Sequence, residues 1–240
     1  MQSHQPAPGA RDGRRGLVAT VRRAAPSLAL LGIGCFWGAL WMAALRFPSE
    51  YDWRYMTIST LLYPDRNPHG YRWAWGGLLL CALAGLYWTG GFGLRTGPQR
   101  STAWLRALWT LRVGYACMVL CALWPERLLG IHKGHETLAL LAFIGVTLGL
   151  VQLTFRAAAQ RTGRPPHSRA VPALVCAALL LPVLLAALTQ AYIAYALPAL
   201  PWVGLAWRAR GVPMFLSFAL WEWVTCVVFS ACMAMLIVLL

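Results

Sequence analysis

The chain has 240 residues, of which 59% are hydrophobic and only 12% charged, against roughly 45–50% and 25% in an average soluble domain. A mean hydropathy of +0.58 excludes a disordered chain and argues against a water-soluble globule. The 21 basic residues, all but one of them Arg, outnumber 7 acids and give a net charge of +14. They lie between long apolar runs, not on a basic face interleaved with exposed aromatics, so they point to membrane orientation and away from nucleic acid.

In chain order, residues 1–26 are rich in Pro, Gly, Ala and Arg and read as a flexible basic tail. Six apolar runs follow, each close to the ~20 residues that cross a bilayer core: Ser27–Leu45, Trp73–Phe92, Trp104–Trp124, His135–Phe155, Val171–Leu197 and Val212–Leu240. The first run is longer than the ~7–15 apolar residues of a removable signal peptide, and no small-x-small site precedes Arg46. Continuous runs exclude a barrel, whose strands alternate. Bare backbone has no partner in lipid, so each run is expected to be helical. The predicted fold is an all-α polytopic membrane protein, a six-transmembrane-helix bundle over residues 27–240.

Within the runs, Gly34 and Gly38 form a Gly-x-x-x-Gly step, and Gly77, Ala84 and Gly85 line the second run. Such steps permit close helix contact. Pro182 is expected to kink the fifth run. All seven Cys fall inside the runs and read as packing groups. Two ionisable residues, Arg112 in the third run and Glu222 in the sixth, fall near their centres. A charge there costs about 2.5–3.5 kcal/mol and normally finds a partner. The prediction is an intramembrane Arg112–Glu222 ion pair.

Basic residues set the orientation. The tail, the second connection and the fourth carry twelve Arg, whereas the first, third and fifth carry eight Lys or Arg, which places both ends of the chain in the cytoplasm. The acids fall the other way: Glu50, Asp52, Asp65, Glu126 and Glu136 lie on the outer side.

The outer side also holds the candidate site. The first outer connection, Phe47–Arg72, is longer than the ~12–15 residues of a plain loop. Its Met56-to-Tyr63 stretch is expected to pack on the bundle as an ordered segment. It offers Ser59, Asp65 and His69: a hydroxyl, a carboxylate and an imidazole. The second outer connection leads into Ile-His-Lys-Gly-His-Glu, where His132, His135 and Glu136 share one face of a helix. Three readings stand open for them: a divalent metal site such as zinc, interfacial hydrogen bonding or capping, and metal-free acid/base chemistry.

Three motifs carry a resemblance. Tyr51-Asp52 leads to Ile58-Ser59-x-Leu61, Trp124-Pro125 closes the third run, and His132-Lys-Gly-His135-Glu opens the fourth. Together they resemble a family of six-span bacterial membrane proteins catalogued as a domain of unknown function. That family is distantly similar to proteins of GPI-anchor lipid remodelling. The resemblance covers most of residues 27–240, and it implies inner-membrane placement and lipid chemistry at Ser59, Asp65, His132 and His135. The His-x-x-x-His that related lipid hydrolases carry near their end is missing here; Glu222 stands in the last run instead.

Two functions follow as expectations. In the first, Ser59, Asp65, His69, His132 and His135 form one catalytic cup at the extracytoplasmic face that hydrolyses or transfers an acyl group of membrane lipids. In the second, the chain is a non-catalytic scaffold, assembly factor or accessory subunit with a membrane-protein partner. Convergence of the five side chains separates the two.

Overall fold

Glycine and alanine let the longest helices of this chain meet backbone to backbone. The computed structural model describes residues 8–95, 102–123, 134–161, 170–196 and 205–239. Its helices are α1 (Pro8–Leu45), α2 (Ile58–Leu62), α3 (Tyr71–Arg95), α4 (Thr102–Leu123), α5 (Gly134–Arg161), α6 (Ala170–Ala196), α7 (Leu205–Ala209) and α8 (Phe218–Leu239). A 3-10 turn, Met214–Leu216, leads into α8. Among the described residues there is no strand.

Among the described residues, five helical segments are long and apolar enough to cross a membrane: Arg23–Leu45, Thr102–Leu123, Thr137–Ala158, Pro172–Ile193 and Phe218–Val238. At 1.5 Å per residue, each covers about 30 Å. They correspond to the first, third, fourth, fifth and sixth runs. The second run lies in α3, which has 25 residues but is not among the five. Large apolar side chains such as Leu31, Trp41, Leu174 and Val238 face outward, which is costly in water and ordinary in lipid.

Helix α1 begins at Pro8, so the stretch read as a leading tail is helical over residues 8–26. Pro suits the first helical turn, and the Ala and Arg that follow are good helix formers. Helix α6 runs unbroken through Pro182.

Helices α1 and α3 lie antiparallel. A Cβ on Gly32 would sit 2.6 Å from that of Ala84, and one on Gly77 would meet Ala39 and the backbone of Cys35 and Phe36. The expected Gly34–Gly38 step is not the contact: nothing lies within 4 Å of a Cβ at either position. The hundred-degree rotation per residue puts Gly32 on the face that Gly34 misses. Helices α4 and α5 make the second antiparallel pair, crossing where Gly114 meets Gly145 and where Gly149 meets Leu111. Tyr115 lays its ring on Gly85 and so joins the two pairs. The main core forms around Leu108, Leu111, Leu150, Leu153, Leu179 and Leu236.

The first outer connection folds back onto the bundle, as its composition predicts. Ile58, Leu61 and Leu62 of α2 pack with Phe36, Leu40, Ala43 and Ala74. Asn67 is wholly buried and closes the segment. Its amide donates to the carbonyls of Ala43 (3.1 Å) and Leu61 (3.3 Å), and its oxygen accepts from the Gly70 amide (3.0 Å).

Candidate functional site: a folded outer cap centred on Glu222

Helix α2 begins at Thr57, whose extended backbone and side-chain oxygen cap the Thr60 amide at 3.2 Å. The Ile58 amide has no partner within its own helix. Glu222, in the second turn of α8, supplies one: Oε2 accepts from Ile58 N at 2.9 Å, and Oε1 accepts from Ser59 Oγ at 3.3 Å. Glu222 itself is buried. Its neighbour Trp223 donates Nε1–H to the Met56 carbonyl at 3.1 Å. The Tyr51 hydroxyl lies 2.9 Å from that carbonyl and 2.8 Å from the carbonyl of Thr57. Burial, reinforced by the Glu222 charge, pushes the Tyr51 phenol upward from its ordinary range, so it stays a proton donor. Two adjacent residues of α8 thus hold the start of a five-residue helix whose sequence lies more than 150 positions earlier.

A second tie holds the outer edge. The Asp52 carboxylate accepts from Arg54 Nε at 2.8 Å and Nη2 at 2.9 Å, and from Arg208 Nη1 at 3.3 Å. Arg208 belongs to α7, which ends in a Schellman turn: Gly211 has φ +70°, its amide reaches the Arg208 carbonyl, and the Val212 amide reaches that of Trp207. This turn folds Val212 against Trp207 and Ile193, and Tyr55 packs there too. The Tyr55 hydroxyl donates to the Val212 carbonyl at 2.9 Å. The segments 47–70 and 205–217 therefore form one cap at one end of the bundle.

The hydrogen bond from Arg54, aided by its charge and that of Arg208, holds the Asp52 carboxyl below the usual carboxylate range. A depressed native pKa stabilises the fold above the unfolded value near ~4, and this contribution disappears as pH falls through the native value. Melting in mild detergent between pH 7 and pH 3 should show Asp52→Asn less stable than wild type at neutral pH. The gap should close in acid. Both guanidinium groups are about half exposed, so the effect is small.

Of the five expected catalytic side chains, the structure describes four, Ser59, Asp65, His69 and His135. Ser59 has Glu222 as its side-chain partner among the described residues. Asp65 and His69 are exposed on the turns after α2. His135 is buried at the start of α5, with Nδ1 3.3 Å from Cys121 Sγ and its ring 5.6 Å from that of Tyr63. His132 and the side chain of Glu136 lie outside the described residues. Among the described residues, no three His, Cys, Asp or Glu are grouped to hold a metal ion. The Cys121–His135 contact was missed in the sequence, because the two are joined only by the antiparallel pairing of α4 and α5.

The expected Arg112–Glu222 pair is replaced by two separate solutions. Arg112 donates Nη2–H to the Thr89 carbonyl at 2.9 Å and lies over the Trp109 ring at 5.3 Å. The reason is depth. The sixth run was drawn from Val212, but the Schellman turn, Pro213 and the 3-10 turn delay α8 to Phe218. Glu222 then lies only about 6 Å inside its helix end, whereas Arg112 is about 15 Å inside α4.

These features define the class at the level the fold supports: an all-helical chain with five helices suited to crossing a membrane and a folded cap over one end. No family model, curated protein or solved structure matches the chain.

Proposed function

We propose that the chain is a six-span integral protein of the bacterial inner membrane that acts without catalysis, as a scaffold, assembly factor or accessory subunit of a larger membrane complex. Helix α3 is the sixth span. It packs antiparallel along α1 from the Gly32–Ala84 contact to the Gly77–Ala39 contact, and a helix lying along a crossing helix crosses with it. The basic connections put the beginning of α1 and the end of α8 in the cytoplasm, with the cap outside.

The observation that carries the non-catalytic reading is the partnership of Ser59. Its hydroxyl faces a carboxylate that already holds the Ile58 amide, and no imidazole is in contact with it among the described residues. A serine nucleophile needs a base free to take its proton, itself oriented by a third group. Here the acid is a structural acceptor. The cap's aromatic and charged exterior, with Trp53 exposed, is left to meet lipid headgroups or a membrane-protein partner.

One observation favours a second reading, a lipid-handling enzyme of hydrolase or acyl-transfer type. Ser59 Oγ and the Glu222 carboxylate, 3.3 Å apart, are a hydroxyl beside an acid at the outer end of the bundle. The resemblance to lipid-remodelling proteins agrees with it, and a zinc ion at His132, His135 and Glu136 would belong to it. The test is direct. Purified protein in vesicles, with and without added zinc, is incubated with fluorescent phospholipids. No hydrolysed or transferred acyl product above empty vesicles is expected. Product that vanishes in Ser59→Ala would overturn the scaffold reading.

A further inference from the structure

We infer that the cleft between α4 and α5 at their cytoplasmic end is a binding site for a single anionic phospholipid. Beyond the Gly114–Gly145 crossing, the two helices flank an open cleft of about 690 Å³ lined by Arg106, Trp109, Thr110, Gln152, Phe155 and Arg156 among others. The two sides match. Arg106, Trp109 and Thr110 follow the i, i+3, i+4 spacing on α4, and Gln152, Phe155 and Arg156 repeat it on α5. Each helix therefore presents an arginine, an aromatic ring and a small or amide hydrogen-bonding group to the same space.

The chemistry of that lining selects the occupant. Arg106 and Arg156 are exposed, and among the described residues neither has an acidic partner within ion-pair distance. Two guanidinium groups across a cleft match a phosphate through charge-assisted, forked hydrogen bonds. A third, Arg112, lies over the Trp109 ring and adds positive potential from behind. The Thr110 hydroxyl donates to the Arg106 carbonyl at 2.9 Å, which leaves its oxygen as an acceptor for a headgroup hydroxyl. Trp109 and Phe155 are 61% and 49% exposed, so the cleft has apolar walls that a free phosphate would not use and acyl chains would. Depth agrees. Arg106 and Arg156 are each about 6–8 Å inside their helix ends, at the level where headgroups meet hydrocarbon, and basic clefts between spans recognise anionic headgroups there.

The inference rests on the membrane-embedded reading and not on the role of the cap. Delipidated full-length protein in detergent is titrated with phosphatidylglycerol or phosphatidylcholine, and bound lipid is counted by native mass spectrometry. Wild type is expected to hold one phosphatidylglycerol at least tenfold more tightly than phosphatidylcholine. Arg106→Gln/Arg156→Gln should lose that preference, and Arg156→Gln alone should weaken it. Arg46→Gln/Arg72→Gln, at the opposite end, should keep it. Equal binding of the two lipids, equal loss in both double variants, or displacement by millimolar glycerol phosphate would overturn the inference; the last would make the ligand a soluble phosphate. Unchanged melting of each variant shows that it folds. Resistance of the wild type to alkaline extraction from membranes tests the embedded reading separately.

Discussion

Glu222→Ala is expected to destabilise the protein by about 3 kcal/mol and to release the cap. The estimate follows from two bonds to a buried carboxyl, one at 2.9 Å and one at 3.3 Å. A hydrogen bond contributes about 0.5–1.5 kcal/mol, and a buried donor left without a partner costs about 1–3 kcal/mol. The Ile58 amide would be that donor, because the first turn of a helix offers it nothing. Ser59 is only partly buried, so water can replace its bond and its share of the loss is the smaller one. Glu222→Gln keeps one carbonyl oxygen for Ile58 and should cost about 1 kcal/mol. Ser59→Ala removes only the longer bond and should cost less still. The order Ala, Gln, Ser59→Ala separates a structural acceptor from a catalytic acid, because a catalytic role would make Gln as damaging to function as Ala. Thermal melting in mild detergent gives the stabilities. Limited trypsin digestion gives the location, since Arg54 and Arg66 flank α2 and should be cut faster once the cap is loose. A Glu222→Ala protein that melts with wild type and resists trypsin would show that Glu222 does not hold α2.

The legible part of the fold is the part set by solvent. Lipid demands long apolar helices, and five of the six runs reappear as helices long and apolar enough to span, the last of them beginning six residues later than drawn. The second run reappears as α3, whose Gly77 and Ala84 pack on α1. The ordered first connection was also readable, because Ile58, Leu61 and Leu62 are too apolar to leave in water. Partners were not readable. Glu222 stood out as a charge in an apolar run, but its depth depended on where α8 begins. A left-handed Gly211 and a 3-10 turn decide that point. Ser59 meets Glu222, and His135 meets Cys121, through helix pairing that no local pattern encodes.

The glycine contacts give the other large effect. Gly114→Ala should cost about 2–3 kcal/mol, and Gly114→Leu should prevent assembly of the α4–α5 pair. A Cβ at residue 114 would stand 2.6 Å from the Val146 amide nitrogen and 2.9 Å from the Gly145 carbonyl carbon. Both are backbone atoms of a helix and cannot rotate aside, so α4 and α5 must separate. Overpacking a tight interface costs about 1–3 kcal/mol even where side chains can yield, and close approach is what stabilises helix pairs in lipid, where no hydrophobic drive holds them together. Separation would reach both ends of the pair: Cys121 and His135 at one end, Arg106 and Arg156 across the cleft at the other. Alanine at Gly34 or Gly38 is the control. Both point into open space, and alanine is the better helix former by about 1 kcal/mol, so these variants should melt at or slightly above wild type. Melting curves in detergent for the three alanine variants decide the matter. If Gly38→Ala proved as harmful as Gly114→Ala, the helix faces assigned to α1 and α4 would both be wrong.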